Sequence, residues 1–531
     1  MSAAVGMLVA LAGLGALVWV RVRTHLAYFQ QEEYDNARFL RAIPRVRLFD
    51  IRASAATLAL WAVATGSGWE GALPWLLGAA WAGIAAQEAR WRFKKPLAMT
   101  DRARRLFALA AGLGAVPALG LAAWHPLGAV AGLQALPLAL IAANLMLAPL
   151  QARINARYVA EAEAKLAALA PVTIGVTGSF GKTTVKHILA ELLGAAGPVF
   201  WSRGSINTVL GLTRHIRERL QPAHRYFVAE MGAYGLGSIA RLCAFAKPRY
   251  GIVTAVGLAH AERFGSLEVT ARAKSELVAD VVARGGTAIV AEEVAPLAPF
   301  AALRAGAPDR VLVVGRAEGC DVRILAAEGS GDDWQVTLGF PFRPGTPELT
   351  LTLPLLGAHN VTNLALAVAM VAVVAPEALP GLPRIAPNIP QIPHRLQKKD
   401  TGRGPLILDD AYNANEDGFL NALDVARELA DRRGGRAVLV TPGVAELGSA
   451  HDAVHARLGK AAAAACDEVL AIGPERMAAF TAAAQGGRAR VQAVPSLAAA
   501  RAALEPLKLG PADVLLYEND LPDLLEDRRL L

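Results

Sequence analysis

Cysteine is scarce: Cys243, Cys320 and Cys466 are the only three in 531 residues, far apart and without a paired or metal-ligand spacing. That excludes a disulfide framework and a thiolate metal centre, and it fits a reducing compartment. Charge is thin too, 19% of residues against 54% hydrophobic, with a positive mean hydropathy. A wholly soluble enzyme carries less apolar content, so membrane segments are expected. Internal repeats and low-complexity tails are lacking, which excludes solenoids and disordered arrays. No surface-forming stretch interleaves basic with aromatic residues, so the net charge of +8 does not argue for nucleic acid as a partner. The length suits three or four domains.

The apolar runs are confined to the first 150 residues: Ala3–Val20, Ala53–Gly66, Gly71–Ala86, Leu106–Trp124 and Leu127–Leu150. The first lacks the charged start and cleavage site of a signal peptide and reads as a retained anchor. Trp61, Trp69, Trp75, Trp81 and Trp124 fall along or at the ends of these runs, as an interfacial belt would place them. Arg21, Arg23, Arg38, Arg41, Arg45, Arg47 and Arg52 crowd the connection after the first run. Arg90, Arg92, Lys94, Lys95, Arg102, Arg104 and Arg105 crowd the one after the third, and the alternate turns carry no Lys or Arg. This alternation predicts about five membrane helices in the inner (plasma) membrane, the N-terminus outside and everything beyond residue 150 cytoplasmic. The lipid bilayer is then a partner, with some attraction to anionic headgroups.

Residues 172–184 read VTIGVTGSFGKTT, a β-branched run that breaks into glycines and ends in Lys-Thr-Thr. This is the form of a strand, a phosphate-cradling loop and the first turn of a helix. Glycine lets backbone N–H groups approach a polyphosphate, Lys182 can reach its outer phosphates, and the Thr183 hydroxyl can ligate Mg²⁺. The common spacing would need glycine where Val176 stands, so the loop is the shorter T-G-S-x-G-K-T-T form. Gln151–Leu169 reads as a linker helix. From Val172 to about Ala386 short apolar runs alternate with helical stretches, the pattern of a parallel sheet with covering helices. Residues 321–356 are more β-rich and less regular, and Pro376–Pro393 is a proline-rich connection. A second, smaller doubly wound piece begins near His394. The expected organisation is therefore a transmembrane region (1–150), a linker helix (151–170), and two α/β domains (171–385 and 386–531).

Further chemistry follows the strands. RYFVAEMG delivers Glu230 to a strand end, where a nucleotide-bound Mg²⁺ needs a carboxylate. The next strand delivers His260, weak evidence by itself. ARAKSELV places Lys274 and Glu276 at the start of a helix, and GAHNVTN places His359, Asn360 and Asn363 at the opening of an apolar one. PHRLQ offers Arg395, and ILDDAYNAN offers Asp410, Tyr412, Asn413 and Asn415. His451 and His455, four apart, lack the further ligands of a zinc site and read as structural, and Gly235–Gly237 reads as a helix-entry loop.

TGSxGKTT, EMG, A-H-x-x-x-F-G-S, AKSEL, GAHNVTN, DDAYNAN and AELG stand here in the order seen in the Mur ligases, which the chain resembles over about residues 172–475. Those are ATP-dependent amide-forming enzymes of peptidoglycan precursor synthesis. The D-Y-N-A-N element is similar to that of the members adding D-alanyl-D-alanine to a UDP-N-acetylmuramoyl-tripeptide. The resemblance implies a P-loop central domain and a smaller Rossmann-like C-terminal domain. It implies ATP contacts from Thr177, Gly178, Ser179, Gly181, Lys182, Thr183, Thr184, Asn363, Arg395 and Asp410. Thr183, Glu230, His260 and Lys274 match the metal site, with Mg²⁺ expected as two ions and Lys274 as a carbamate. Lys182, His260 and Lys274 are the catalytic candidates. Asn207, Tyr412, Asn413 and Asn415 match positions facing the muramoyl-peptide acceptor and the incoming amino acid or dipeptide. A substrate carboxylate would attack the γ-phosphate, and an amine would displace phosphate from the acyl phosphate formed. The C-terminal domain would close over the site, with the hinge before His394.

Two features depart from the family. Membrane helices stand where its members grip the UDP-sugar, and G-D-M-x-E-L-G appears as Gly443-Val444-Ala445-Glu446-Leu447-Gly448 after Pro442, without the aspartate. Both bear on the acceptor, so a lipid-linked muramoyl peptide or another amino acid is the rival. A non-catalytic membrane scaffold and a transport ATPase are the other readings. The first leaves the intact Lys182, Thr183, Glu230, His260 and Lys274 without purpose. The second meets almost no charged residue inside the apolar runs.

Overall fold

The computed structural model describes residues 2–46, 49–91, 93, 96–257, 266–329, 333–400, 402–412, 415–445 and 447–520. They form two compact units that divide after Ile154.

The first unit is helical: α1 (Ser2–Gln31), α2 (Asn36–Val46), α3 (Ile51–Ser67), α4 (Leu73–Ala89), α5 (Asp101–Trp124), α6 (Pro126–Gln134) and α7 (Leu136–Leu169). Three of these, over 4–31, 101–124 and 136–169, are long and apolar enough to cross a membrane. α3 and α4 have 17 residues each, short of the roughly 20 that a perpendicular span needs. The run expected as one helix over Leu127–Leu150 is two, α6 and α7. Pro137, with no N–H and a restricted residue before it, falls at the break. α7 then continues through the stretch expected to be a separate linker helix. Glycine lets α1 and α4 meet backbone to backbone: a Cβ on Gly78 would lie 2.7 Å from the Val9 carbonyl oxygen. Trp81 is core rather than interface, its indole donating to Thr57 Oγ1 at 3.0 Å. Arg21 is buried against Glu88 (3.2 Å) and Asp50 (3.6 Å), and Arg52 reaches Glu88 at 2.8 Å. Arg47, Arg92, Lys94 and Lys95 lie outside the described residues.

The second unit holds two sheets. The first has nine strands in the order β2-β3-β1-β4-β5-β6-β7-β8-β9. In chain order its elements are β1 (Val172–Thr177), α8 (Lys182–Leu193), β2 (Val199–Trp201), α9 (Val209–Arg219), β3 (Tyr226–Glu230), α10 (Ser238–Ala246) and β4 (Tyr250–Val253). There follow α11 (Leu267–Ala283), β5 (Thr287–Ala291), α12 (Ala298–Gly306), β6 (Val311–Gly315), β7 (Val322–Gly329), β8 (Trp334–Gly339), β9 (Leu349–Leu353) and α13 (His359–Val374). β2 to β6 run parallel and are buried on both faces, hence their unbroken apolar sequences. The less regular stretch is the antiparallel β7-β8-β9 extension. From β1 the chain crosses to β2 on one side and later reaches β4 on the other. The strand order therefore reverses at β1, and a crevice opens at the carboxyl ends of β1, β3 and β4. Lys274 and Glu276, expected at a helix start, lie in the interior of α11, because that helix begins at Leu267 after the Ser266 cap.

The proline-rich stretch is not an open linker. Ala378, Leu379, Leu382, Ala386, Ile389 and Ile392 pack into the core of the nine-stranded sheet. A separate core takes in Leu356 and the apolar residues from Leu396 onward. It supports a six-stranded sheet, β10-β11-β15-β12-β13-β14. These strands are β10 (Gln397–Lys399), β11 (Leu406–Asp410), β12 (Ala437–Thr441), β13 (Glu468–Ile472), β14 (Arg490–Val494) and β15 (Val514–Glu518). All pairs are parallel except the β10 edge. Two helices matter below, α14 (Glu416–Arg433) and α15 (His451–Ala465). All three cysteines are buried and free.

Candidate active site

β1 ends at Thr177, whose Oγ1 donates to the Met231 carbonyl at 2.9 Å and ties the loop to the end of β3. Gly178 (φ 155°) and Gly181 (φ 77°) take conformations closed to other residues, and a Cβ on Gly181 would sit 2.6 Å from Asn363 Oδ1. Ser179 N–H donates to the Ala255 carbonyl (2.7 Å), and its hydroxyl donates to the Gly257 carbonyl (3.0 Å). The Thr254 hydroxyl donates to the Phe180 carbonyl. Anchored at Ser179 and Phe180 in this way, the loop leads directly into the amino end of α8, where backbone N–H groups and the helix dipole favour an anion.

Lys182, at the first position of α8, folds its Nζ on to the Gly178 and Ser179 carbonyls (2.7 and 3.2 Å). Burial pushes its pKa down to about 8, although Glu230 pulls the other way. Thr183 Oγ1 donates to Glu230 Oε2 at 2.9 Å. Lys186, one turn on, donates to the same oxygen at 2.8 Å and also to the Gly204 carbonyl. Asn207 Nδ2 donates to Glu230 Oε1 at 3.1 Å, and the Tyr234 hydroxyl donates to Asn207 Oδ1 at 3.0 Å. Burial alone would raise the Glu230 pKa; Lys186 and Lys182 outweigh it and hold the carboxylate below its ordinary value. Lys274 is buried in α11, where loss of water and the neighbouring Lys182 charge push its pKa far down. One ionised carboxylate thus lies between two lysines, Lys182 and Lys186, a surplus of positive charge that suits a polyphosphate.

Beside the loop opens a cavity of about 230 Å³ lined by Gly181, Thr184, Asn363, Arg395, Asp410 and Glu518 among others. Asn363 is fixed by donating to Asn360 Oδ1 (2.8 Å), and Asn360 donates to the Leu356 carbonyl (2.6 Å). Arg395 stands between two left-handed residues, His394 (φ 58°) and Leu396 (φ 47°). Such strain persists only where surroundings enforce it. The bend carries the guanidinium over the Tyr412 ring, 4.4 Å from its centroid. Asp410 ends β11 and accepts from Leu396 N–H at 3.1 Å; burial raises its pKa to about 6. Its register partner Glu518 ends β15, wholly buried, and burial followed by the Asp410 charge pushes its pKa far up.

Models of the Mur ligase middle domain and of the Mur ligase glutamate ligase domain match residues 176–371 and 394–517. The UDP-N-acetylmuramoyl-tripeptide–D-alanyl-D-alanine ligase of Escherichia coli (strain K12) is 31% identical over 325 residues, 59% of this chain and 67% of its own length. The chain belongs to the Mur ligase family. The enzyme of the same name from Mycobacterium tuberculosis (strain H37Rv) is 34% identical over 313 residues, 56% of this chain. The match spans only 58% of that relative's length. A crystal structure of MurF from Acinetobacter baumannii superposes with a TM-score of 0.58 at 26% identity, covering 69% of this chain and 77% of that one. Residues 1–175 precede both family models.

Against this Mur ligase fold the expected residues fall into two groups. Thr177, Gly178, Ser179, Gly181, Lys182, Thr183, Asn207 and Glu230 are joined by the hydrogen bonds and close approach described above, with Lys274 beside Lys182. Thr184, Asn363, Arg395, Asp410 and Asn415 line the cavity, with Tyr412 beneath Arg395. Asn415 is also the cap of α14, its Oδ1 accepting from Gly418 N–H at 2.9 Å. His260, Asn413 and Glu446 lie outside the described residues. Glu276 points elsewhere, capping α10 through the N–H groups of Gly237 (2.6 Å) and Ala240 (2.8 Å). His455 is structural: its Nε2 accepts from Val444 N–H (3.2 Å), and its Nδ1 faces the His451 carbonyl (2.8 Å). Asn519 donates to the Gly443 carbonyl at 2.7 Å, at the start of the loop that lacks the aspartate. Three residues were not anticipated. Lys186 was legible in K-T-T-V-K, which puts it on the face of Lys182. Thr254 and Glu518 lie at strand ends and had no motif to mark them.

Proposed function

We propose that this chain is a membrane-anchored, ATP-dependent amide ligase of peptidoglycan precursor synthesis that joins D-alanyl-D-alanine to a muramoyl tripeptide. The observation that carries this reading is the charge surplus about Glu230: Lys182 and Lys186, with Arg395 close enough to act on both. The curated name of the Escherichia coli relative supports the acceptor and the dipeptide.

In this reading loop N–H groups and Lys182 hold the phosphates, while Asn363, Arg395 and Asp410 shape the cavity for the rest of the nucleotide. The acceptor's carboxylate oxygen attacks the γ-phosphorus and ADP departs. The dipeptide amine then attacks the acyl carbon, loses a proton and expels inorganic phosphate. Thr183 and Glu230 present hard oxygen donors beside the loop, a fit for Mg²⁺. Bound there, the ion would neutralise phosphate charge. Burial shifts Lys274 towards its neutral amine, the form that adds carbon dioxide to become a carbamate. Arg395, on its strained connection, is carried to the nucleotide by the smaller domain, whose closure would shield the acyl phosphate from water.

The three apolar helices support an inner-membrane location, with the positive-inside alternation placing the ligase domains in the cytoplasm. They also favour a second reading, in which the acceptor is lipid-linked and met at the bilayer surface. Purified full-length chain in detergent, given ATP and D-alanyl-D-alanine, is to be assayed for ADP release with each acceptor. Release that requires the UDP-linked tripeptide supports the first reading, and release only with the lipid-linked one moves the acceptor. ADP release that ignores both acceptors contradicts the ligase assignment.

A further inference from the structure

α1 and α4 run side by side in the same direction: Gly6 lies beside Trp75, Gly78 beside Val9, and Arg21 beside Glu88. α4 stops at Ala89, while α1 continues to Gln31. The chain leaving α4 therefore runs on along α1, and it is pinned there. The Gln30 amide accepts from Ala98 N–H (2.8 Å) and donates to the Ala98 carbonyl (2.9 Å). The Phe93 ring meets Tyr28 edge-on, with centroids 5.2 Å apart. Between α1, the end of α4 and this returning segment opens a cavity of about 270 Å³. Trp91, Phe93 and Leu97 form much of its apolar wall, and Arg23, Thr24 and Glu88 supply its polar groups.

Glu88 brings no spare charge to this cavity. Its carboxylate pairs with Arg21 (3.2 Å) and Arg52 (2.8 Å), and both arginines also face Asp50 (3.6 and 3.5 Å). Two arginines against two carboxylates leave that group balanced, and Arg23 stands outside it. Its guanidinium has no ion-pair or hydrogen-bond partner among the described residues. The hydroxyl of Thr24, a residue only 5% exposed, has none among them either. A buried donor left unpaired is uncommon in a folded chain. Arg92, Lys94 and Lys95 lie outside the described residues, and by sequence they add charge of the same sign to this connection. An arginine at the end of a membrane helix often does no more than reach the headgroup layer. Here a buried hydroxyl and an aromatic wall stand beside it. Arg23 closely follows the apolar run Ala3–Val20, at the arginine-rich end and therefore at headgroup depth on the cytoplasmic side. A surplus cation, a hydroxyl donor and apolar walls at that depth match a lipid phosphate and the first carbons of its tails.

We propose that this cavity is a binding site for the phosphate of an anionic membrane lipid, held by Arg23 and Thr24 with its tails along Trp91, Phe93 and Leu97. The inference rests on the reading of the first unit as a membrane region. It does not depend on which acceptor the ligase uses.

The test is native mass spectrometry of the full-length chain in detergent, titrated with dioleoyl phosphatidate, dioleoyl phosphatidylcholine or inorganic phosphate. Phosphatidate is expected to bind about ten-fold more tightly than phosphatidylcholine, and inorganic phosphate should not displace it. Arg23→Gln should abolish that preference and Thr24→Val should reduce it. Arg41→Gln, which removes an exposed arginine of α2, should leave it intact. Equal affinities for the two lipids in the wild-type chain overturn the proposal. So does an equal loss in Arg23→Gln and Arg41→Gln, the mark of general surface charge. Displacement by inorganic phosphate would overturn the lipid and put a soluble anion in its place. Should Arg23→Gln fail to fold, the wild-type preference and Thr24→Val still decide, since an unchanged preference in Thr24→Val refutes the site. A wild-type chain that stays monomeric and soluble without detergent would overturn the membrane reading and this inference together.

Discussion

Asp410 is held ionised at neutral pH against its surroundings, and replacing it with asparagine exposes the size of that opposition. Burial raises its pKa from 3.8 to about 6, with Arg395 opposing the shift and Asp409 adding to it. A displacement of about two units at ~1.4 kcal/mol each amounts to ~3 kcal/mol. Because the carboxyl faces the open cavity, solvent screening reduces this to roughly 1–2 kcal/mol. The sign follows from linkage. Below pH 3.8 folded and unfolded chains are both protonated here and no penalty exists. As pH rises to about 6 the unfolded chain ionises first and the folded state loses stability. Asparagine keeps the oxygen that accepts from Leu396 N–H and removes the charge. Asp410→Asn should therefore unfold about 2–5 °C higher than the wild-type chain at pH 7.5, by circular dichroism of the full-length protein in detergent. The advantage should shrink through pH 6 to 4 and vanish below, and nucleotide affinity should fall in the same variant. Equal melting temperatures at pH 7.5, or an advantage that persists unchanged at pH 4, would refute the reasoning.

Three further outcomes are expected. Gly181→Ala forces a left-handed φ of 77° on alanine and sets its Cβ 2.6 Å from Asn363 Oδ1. A strain of about 1–2 kcal/mol should weaken nucleotide binding about ten-fold by calorimetry, and unchanged affinity would show that the loop does not need this backbone. Exposure of the full-length chain to ¹³C-labelled bicarbonate should give a carbamate carbon signal that Lys274→Arg abolishes; a spectrum without it contradicts the carbamate. Arg21→Met leaves Glu88 and Asp50 buried, with Arg52 as their remaining ion-pair partner among the described residues. The loss should be about 3–5 kcal/mol, read as a lower melting temperature, and Glu88→Leu in the same chain should recover part of it.

Much of the architecture could be read ahead of the structure because parallel strands buried on both faces must be apolar throughout. VTIGVT, RYFVAEM and RVLVVG could hardly be anything else between helical stretches. The phosphate loop was equally plain, since its glycines are demanded by φ angles and by Thr254 and Asn363 pressing against them. What escaped depends on contacts between segments far apart in sequence. Glu518 meets Asp410 only because β15 inserts beside β11, a register no local pattern encodes. The left-handed backbone at His394 and Leu396 gives no compositional sign, for neither is glycine or asparagine. Pro376–Pro393 reads from composition as a connection, yet its apolar residues find a core to fill. The break between α6 and α7 was hidden by a continuous apolar run in which Pro137 alone marked it.

The central claim, activation of a carboxyl group as an acyl phosphate at the Gly178–Thr183 loop, has one direct measurement. An acceptor labelled with ¹⁸O in its terminal carboxylate is turned over with ATP and the dipeptide by the full-length chain, and the released phosphate is weighed by mass spectrometry. One ¹⁸O per phosphate is predicted, because the oxygen that attacks the γ-phosphorus leaves with it when the amide forms. Amide product accompanied by unlabelled phosphate would contradict the account.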